Sequence, residues 1–441
     1  MPGPDVNHDL TVHDAHPTPH NPVPQLPLTP DQIETIPTTP GPPRLRRLTE
    51  LVIAGTDPGD TRDTLVRHLV AVELRAATTA LWREPRRAAQ AAALDELGAI
   101  AGAYDTDGGA ALDRLRRHLV VHRHLDELLT LVRRELDGQT EPEVLVEDGR
   151  AYAQYPYFRD STLRIPDACY DVTAELGVRH RLTAVELDGA GLSLAVEAGV
   201  HRIPGGSAEL VLRGHVTGTE LRFPAEDMGR GGFAGRVPLA GVPEGVWDVH
   251  IAVTAQGIGR EARLDGGPDA VVSVVAADGT VATLTGPGGL ALDVGELRHP
   301  VQDRLRVDGV AWDPQAGPAT LAVTGRCALA DHPAGSLVLR ATAADGQVVD
   351  VPVGTGPDGS FRTPFPCTAA GEWRLVLRLA AGGREWAVPV PEQPELAVAR
   401  WQRLGLPWYT KPLPDRGVLS VRTGRVEVIK GVRGRLRRRT P

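Results

Sequence analysis

Lysine is almost missing from this chain: it stands only at Lys411 and Lys430, so 46 of the 48 basic residues are arginine. Together with 49 glycines and 38 prolines, that bias points first to a GC-rich bacterial genome. Cysteine is scarce as well. Cys169, Cys327 and Cys367 cannot build a disulfide framework, and no two of them have the Cys-x-x-Cys spacing of a redox or metal site. Cys327 and Cys367 could pair if the fold brings them together; otherwise all three read as small buried apolar side chains. No apolar run approaches ~18 residues, and the N-terminus has no charged-then-apolar export pattern, so neither a helical span nor secretion is expected. A cytoplasmic location follows. The chain also has no P-loop, no Gly-x-Ser-x-Gly, no dinucleotide fingerprint and no His-Glu-x-x-His. Gly229-Arg230-Gly231-Gly232 precedes a strand pattern rather than a helix N-terminus, which excludes it as a phosphate cradle.

Charge is present, and it is unevenly placed. The formal net charge is −8, from 48 basic and 56 acidic residues. Residues 416–441 hold nine basic side chains and one acid, Glu427, so this end carries +8 and the remainder −16. The run Arg433, Arg435, Arg437, Arg438 and Arg439 is its densest part. A basic end on an acidic body suits an anionic polymer or the inner leaflet of a membrane, because such fields raise local concentration and on-rate. The alternative is a solvated tail that only aids solubility.

Along the chain the pattern changes three times. Residues 1–43 contain twelve prolines and no amphipathic period, which predicts a disordered leader. The histidines inside it (His8, His13, His16, His20) read as incidental to a flexible tract. Residues 44–140 read as helices. One is capped at Asp60 or Thr61 and carries Leu65, Leu69, Val72 and Leu81; a second follows Pro85 toward Tyr104. A third carries Leu112, Leu115 and Leu119, and a fourth runs from Leu125 to Leu136 before Gly138. Short connections make these a small antiparallel bundle. From about Val144 the period is two, with turn pairs such as Asp188-Gly189, Asp278-Gly279, Asp345-Gly346 and Asp358-Gly359, the pattern of antiparallel sandwiches.

Inside the β region the sequence repeats itself. Leu210-Val211-Leu212-Arg213, Gly245-Val246-Trp247 and Gly259-Arg260-Glu261 recur as Leu337-Val338-Leu339-Arg340, Gly371-Glu372-Trp373 and Gly383-Arg384-Glu385. The repeated residue types are those of packing, not of catalysis. Trp247 and Trp373 should therefore be core residues of two related modules. The expected organisation is a helical linker domain (44–140), a first β-sandwich module (141–285), a second (286–395), and a terminal hairpin with the basic tail (396–441).

Three groups of residues could carry chemistry. Asp105-Thr106-Asp107 has the paired carboxylates with which sugar-nucleotide transferases hold a divalent metal, but it joins two helices instead of ending a strand. His118 and His122 are four residues apart on a helix, with no third ligand evident from spacing. The densest feature is the stretch from Tyr152 to Thr173, which holds five of the chain's eleven Tyr and Phe residues. Tyr155, Tyr157, Phe158, Arg159 and Asp160 could stack on sugars and hold phosphates, or could form an aromatic wedge between helices and sheet.

From about Arg44 onward the chain resembles the region following the catalytic domain of actinobacterial family-2 glycosyltransferases, similar to wall teichoic acid glycosyltransferases. The residues carrying the resemblance begin with Gly55-Thr56-Asp57, Arg62-Asp63 and Asp148-Gly149-Arg150. They continue with Tyr155-Pro156-Tyr157-Phe158-Arg159-Asp160, Ile165-Pro166-Asp167, Cys169-Tyr170-Asp171-Val172-Thr173 and His180-Arg181-Leu182. Further on, Gly245–Val249, Arg260–Leu264 and Trp408-Tyr409-Thr410-Lys411-Pro412 match. The resemblance implies a helical linker followed by two immunoglobulin-like antiparallel β-sandwich modules. In that family an N-terminal α/β domain performs sugar transfer, whereas here a 43-residue leader precedes the helices. No catalytic residue, metal ligand or cofactor is therefore expected. The expected role is a non-catalytic accessory, oligomerisation and glycopolymer-binding region of a cell-envelope system, as a truncated or split enzyme or an adaptor. Its partners would be copies of itself or a catalytic glycosyltransferase, with an anionic glycopolymer or the inner membrane face, and not nucleic acid. The alternatives are an active glycosyltransferase using a nucleotide sugar and a purely structural homo-oligomer.

Overall fold

A computed structural model describes residue 32 and residues 34–104, 109–269, 271–414 and 417–426. Most of the Pro-rich leader, Asp105-Thr106-Asp107 and the five arginines from Arg433 to Arg439 lie outside the described residues. Helices come first and antiparallel sheets follow, as the change of period predicts. Two compact units divide the chain: Met1–Arg179 with Gly199–Ser207 and Val253–Glu261, and His180–Ala198 with Ala208–Ala252 and Ala262–Pro441.

Among the described residues the first unit contains the helices α1 (Pro42–Gly55), α2 (Asp60–Arg83), α3 (Arg87–Gly102), α4 (Ala111–Val121) and α5 (Leu125–Leu136). Helix α1 begins inside the expected leader. Its prolines occupy the first turn, where a missing N–H costs nothing, and Leu45, Leu48, Leu51 and Val52 are buried behind them. The buried stripe of α2 is Leu65, Val66, Val70, Leu74, Ala77 and Leu81. Val72, placed on the core face by spacing, is instead 50% exposed; Val66 and Val70 supply a better 3.6-residue stripe. Helices α3 and α4 cross closely at Gly98, where an added Cβ would stand 2.9 Å from the Val120 carbonyl oxygen. Arg44 on α1 grips Glu73 on α2 through two nitrogens, at 2.8 and 3.1 Å. No helix among the described residues is long and apolar enough to cross a membrane.

A two-stranded hairpin, Val144–Glu147 with Arg150–Ala153, follows the helices. Its turn residues Asp148 and Gly149 have φ of 48° and 74°, the pair of positive values that a two-residue type I′ turn demands.

The long sheet orders its strands as Val272–Val275, Val281–Thr285, Ala291–Val294, Gly245–Ala255, Ser207–Gly214, Glu220–Gly229, Gly232–Pro238, Gly191–Val200 and Val178–Asp188. Ile258–Arg263 pairs alongside Gly245–Ala255. This sheet runs to Val294, because Leu292 sits opposite Trp247. The glycine-rich run Gly286–Gly289, near the expected module boundary, is the turn of a hairpin.

Downstream, a three-stranded sheet (Leu305–Trp312, Thr320–Cys327, Ser360–Pro366) and a seven-stranded sheet share one apolar core. The seven-stranded sheet runs Val348–Pro352, Leu337–Ala343, Gly371–Ala381, Ser420–Arg425, Leu406–Leu413 and Ala399–Arg403, with Arg384–Pro389 added on Gly371–Ala381. The expected terminal hairpin is thus joined into the sheet: Ser420–Arg425 pairs with Gly371–Ala381 on one side and Leu406–Leu413 on the other. Thr410 and Thr423 are buried at this joint. Their hydroxyls lie 3.0 Å from each other and within hydrogen-bond reach of the Cys367 carbonyl, so neither is stranded away from water.

Cys327 and Cys367 do not pair. Cys367 donates its backbone N–H to Ala319, just before the strand that Cys327 ends, so the strand's length of roughly 25 Å separates them, far beyond disulfide reach. Burial raises both thiols above the ordinary range, Cys367 to about 12.

Candidate functional site

The aromatic stretch is a packed cluster in the first unit. Tyr152 on the hairpin stacks on Phe158 at 6.1 Å between ring centroids, and Phe158 meets Tyr170 edge-on at 5.1 Å. Tyr170 is fully buried and its hydroxyl donates to the Pro156 carbonyl at 3.2 Å; burial pushes its pKa up. Tyr155 is also buried, with its hydroxyl 3.4 Å from the Thr140 carbonyl. The turn between them is tight, with Tyr157 and Arg159 at φ of 69° and 57°. Left-handed backbone at non-glycine residues is uncommon and persists only where surrounding contacts fix it.

Arg159 sits over this cluster, its guanidinium carbon 4.8 Å from the Phe158 centroid and 5.7 Å from that of Tyr152. It donates to Glu147 through both terminal nitrogens, at 2.5 and 3.2 Å, and reaches Asp167 at 3.4 Å. The Arg159 hydrogen bond holds the Glu147 carboxyl below its ordinary pKa. Asp160 accepts from the backbone N–H groups of Leu163 and Thr162, which lower its pKa and commit it to the loop. Of the five candidate contact residues, Tyr155 anchors, Phe158 stacks, Arg159 bridges two acids, Asp160 caps a turn, and Tyr157 supplies the turn itself. The groups that could meet a phosphate or sugar have largely been used on one another.

Three arginines fix this stretch and its flanks from outside. Arg114 on α4 donates to the Ala168 carbonyl at 2.9 Å and also to those of Gly109 and Asp171. Arg202 donates to the Pro142 carbonyl, and Arg260 to Leu176 at 2.7 Å and to Thr173. Irregular backbone has no ladder to satisfy its carbonyls, and long guanidinium forks do so from a distance. Nothing in local spacing announces such contacts. Glu175 completes the dock by accepting the first N–H of α4 at 2.6 Å.

The two repeated tryptophans are core residues, at 4% and 3% exposure. Each opens an 11-residue strand whose alternate residues are buried, and each indole N–H donates to the carbonyl four residues earlier at 3.1 Å. The glycine two residues before each lies under the indole; an added Cβ would stand 3.1 Å from Trp247 Nε1 at Gly245 and 3.4 Å from Trp373 Nε1 at Gly371.

His118 and His122 face each other at 4.2 Å between ring centroids, and His124 joins them as a third imidazole at 6.5 and 6.2 Å. Among the described residues no group of three or more His, Cys, Asp or Glu side chains is arranged to hold a metal ion. Burial, then the neighbouring His122, His124 and Arg117, lower the His118 pKa to about 4. A depressed folded-state value means the unfolded chain binds the proton more readily. The stabilisation is complete above pH 6.5 and is lost as pH falls toward about 4. His118→Gln should flatten the acid limb of the thermal stability profile between those values, and an unchanged slope would show that another group sets it.

No family model and no curated protein matches the chain. Among solved structures it is similar to residues 217–571 of S. aureus TarS, at 13% identity over 72% of this chain and 90% of that one, with a TM-score of 0.37. It is similar to S. aureus TarS at 12% identity, covering 72% of this chain and 58% of TarS, with a TM-score of 0.32. A tetra-tandem repeat in the extending region of a large adhesion protein is 15% identical over 57% of this chain and 62% of its own, with a TM-score of 0.17.

Proposed function

We propose that this chain is a non-catalytic accessory region of a cell-envelope, teichoic-acid-like glycosyltransferase system. The helices serve as linker, and the two Gly-x-Trp modules are copies of one immunoglobulin-like unit. Together they hold an anionic glycopolymer acceptor for a catalytic partner on the cytoplasmic side of the membrane, and self-association multiplies the contacts. The observation that carries this reading is the charge separation, +8 in residues 416–441 against −16 in the remainder. A cationic end on an anionic body attracts a polyanion locally while the body repels it, which favours tethering over engulfment. The internal saturation of Arg159 and Asp160 favours a structural joint over a sugar-phosphate site at the aromatic stretch.

Two measurements test the reading. Titration calorimetry with nucleotide sugars and Mg²⁺ or Mn²⁺ should show no heat; saturable heat would establish a donor site and overturn the non-catalytic role. Deleting Arg433–Pro441 should lower retention on an immobilised anionic glycopolymer at low salt, with the difference closing at high salt as screening grows. Equal retention at both salt concentrations would remove the tail from the interaction.

A further inference from the structure

The outer face of the seven-stranded sheet is neutralised at one end and cationic at the other. Toward the Val348–Pro352 edge its arginines are matched. Arg340 pairs with Asp350 at 2.7 Å and Arg378 with Glu385 at 2.6 Å. Toward the Ala399–Arg403 edge only Arg422 is matched. Arg400 lies opposite Tyr409, Tyr409 opposite Gly424, Lys411 opposite Arg422, and Arg422 opposite Glu372. Arg374 follows two residues after Glu372 on the same strand and therefore shares its face. Among the described residues Arg374, Arg400 and Lys411 enter no ion pair, and only Arg422 is matched, by Glu372. Residues 396–414 and 417–426 contain no acid at all.

The spacing of these cations is set by the sheet. Neighbouring strands lie about 5 Å apart, and same-face residues repeat about every 7 Å along a strand. The cations therefore form a patch roughly 14 by 15 Å across, too spread for one phosphate and suited to a chain of them. Beside Arg400 the Tyr409 phenol lies across Gly424: a Cβ there would be 3.2 Å from the hydroxyl and 3.3 Å from the ring carbon bearing it. Tyr409 is half-buried, so part of its ring stays open to solvent, the kind of surface on which a sugar ring packs.

We propose that this face, formed by Arg374, Arg400, Tyr409, Lys411 and Arg422, is a binding site for a linear phosphodiester polymer bearing sugars. Arginine and lysine would take successive phosphates, and Tyr409 a sugar substituent. Sites for single-stranded nucleic acid run successive bases over successive rings, and this face offers one ring. The inference deepens the proposed function by moving polymer recognition from the tail to a folded surface, and it rests on that reading for its ligand class.

The experiment uses the full chain, and the chain lacking Arg433–Pro441, against three probes: glycosylated poly(glycerol phosphate), polyglutamate and a single-stranded oligodeoxynucleotide. In both chains Arg374→Glu/Arg400→Glu/Lys411→Glu should weaken the glycosylated polymer at least tenfold and flatten the dependence of affinity on salt. Arg133→Glu, on an exposed helical arginine, should change little. Tyr409→Ala should weaken the glycosylated polymer more than the same polymer stripped of sugar. If the charge reversals lower the melting temperature, the corresponding glutamine variants replace them. Unchanged binding by the triple variant overturns this site while leaving polymer binding in place. Tighter binding of the oligonucleotide or polyglutamate overturns the ligand class. If the unaltered chain binds no probe, the proposed function falls together with the site.

Discussion

Trp373→Ala should destabilise the C-terminal β-structure by about 4 kcal/mol, enough to remove much of the stability of an ordinary domain. The indole is 3% exposed and belongs to the core shared by the three- and seven-stranded sheets. Its strand partners are Ala343 on one side and Val421 on the other, so its loss empties a space bounded by two neighbouring strands. The substitution also orphans the Ala369 carbonyl, which accepts the indole N–H. Trp373→Phe keeps most of the volume and loses the donor, and should cost about 1–2 kcal/mol. Gly371→Ala acts on the same pair from beneath, since φ at Gly371 is 136° and the new methyl would crowd the indole. Urea denaturation followed by tryptophan fluorescence and circular dichroism measures all three. A cost below about 1 kcal/mol for Trp373→Ala would mean the strand does not depend on its indole.

The matching starts of the two tryptophan strands were readable because their physical cause is local. A Gly-x-Trp start followed by alternating apolar residues needs only a strand, one close-packed glycine and a carbonyl four residues back, and all of these lie within a short window of sequence. Trp247 and Trp373 meet those conditions identically. The same holds for α5, whose apolar stripe and following Gly138, at φ of 76°, give both its face and its end. The α2 stripe was less legible, since Leu69 and Val72 fit a helical period nearly as well as Val66 and Val70, and only packing against neighbouring helices separates the two. The tie of the last hairpin to the sheet, Ser420–Arg425 against Gly371–Ala381, spans some fifty residues of chain, so no local pattern announces it.

The candidate site divides along the same line. Aromatic enrichment marked the stretch from Tyr152 to Thr173, and the structure brings Tyr152, Phe158, Tyr170 and Arg159 together. What spacing could not give is the partner of each polar group. Glu147 and Asp167 lie 12 and 8 residues from Arg159, and Arg114, Arg202 and Arg260 act across 54, 60 and 84 residues. Even the repeat does not transfer such contacts. Arg260 holds the Leu176 carbonyl, while its counterpart Arg384 pairs with Glu244. The pairing of a guanidinium is decided by which carbonyl or carboxylate is left over after the backbone has folded.

The second large effect is expected at Arg116, the one charged residue in the helical unit with no exposed surface among those described. Its guanidinium donates to Asp113, one turn earlier on α4, at 2.6 Å, and to Glu135 on α5. Asp113 in turn accepts from Arg75 on α2 at 2.9 Å, so a single network ties three helices. Glu135→Ala should cost about 3 kcal/mol, because it leaves a buried cation with one partner and an Nε that has none. Arg116→Met should cost less than Glu135→Ala: it removes the charge along with its desolvation penalty, and Asp113 keeps Arg75. The double variant Arg116→Met/Glu135→Leu should recover most of the loss, since replacing a buried ion pair by packed apolar groups is close to neutral. Chemical denaturation of the full chain, read through helical circular dichroism, gives the cycle. If Glu135→Ala changes stability by less than about 0.5 kcal/mol, the range of a surface substitution, the network is an ornament of packing rather than its cause. If Arg116→Met proves the costlier single change, the helices are held by the arginine's contacts and not by its charge.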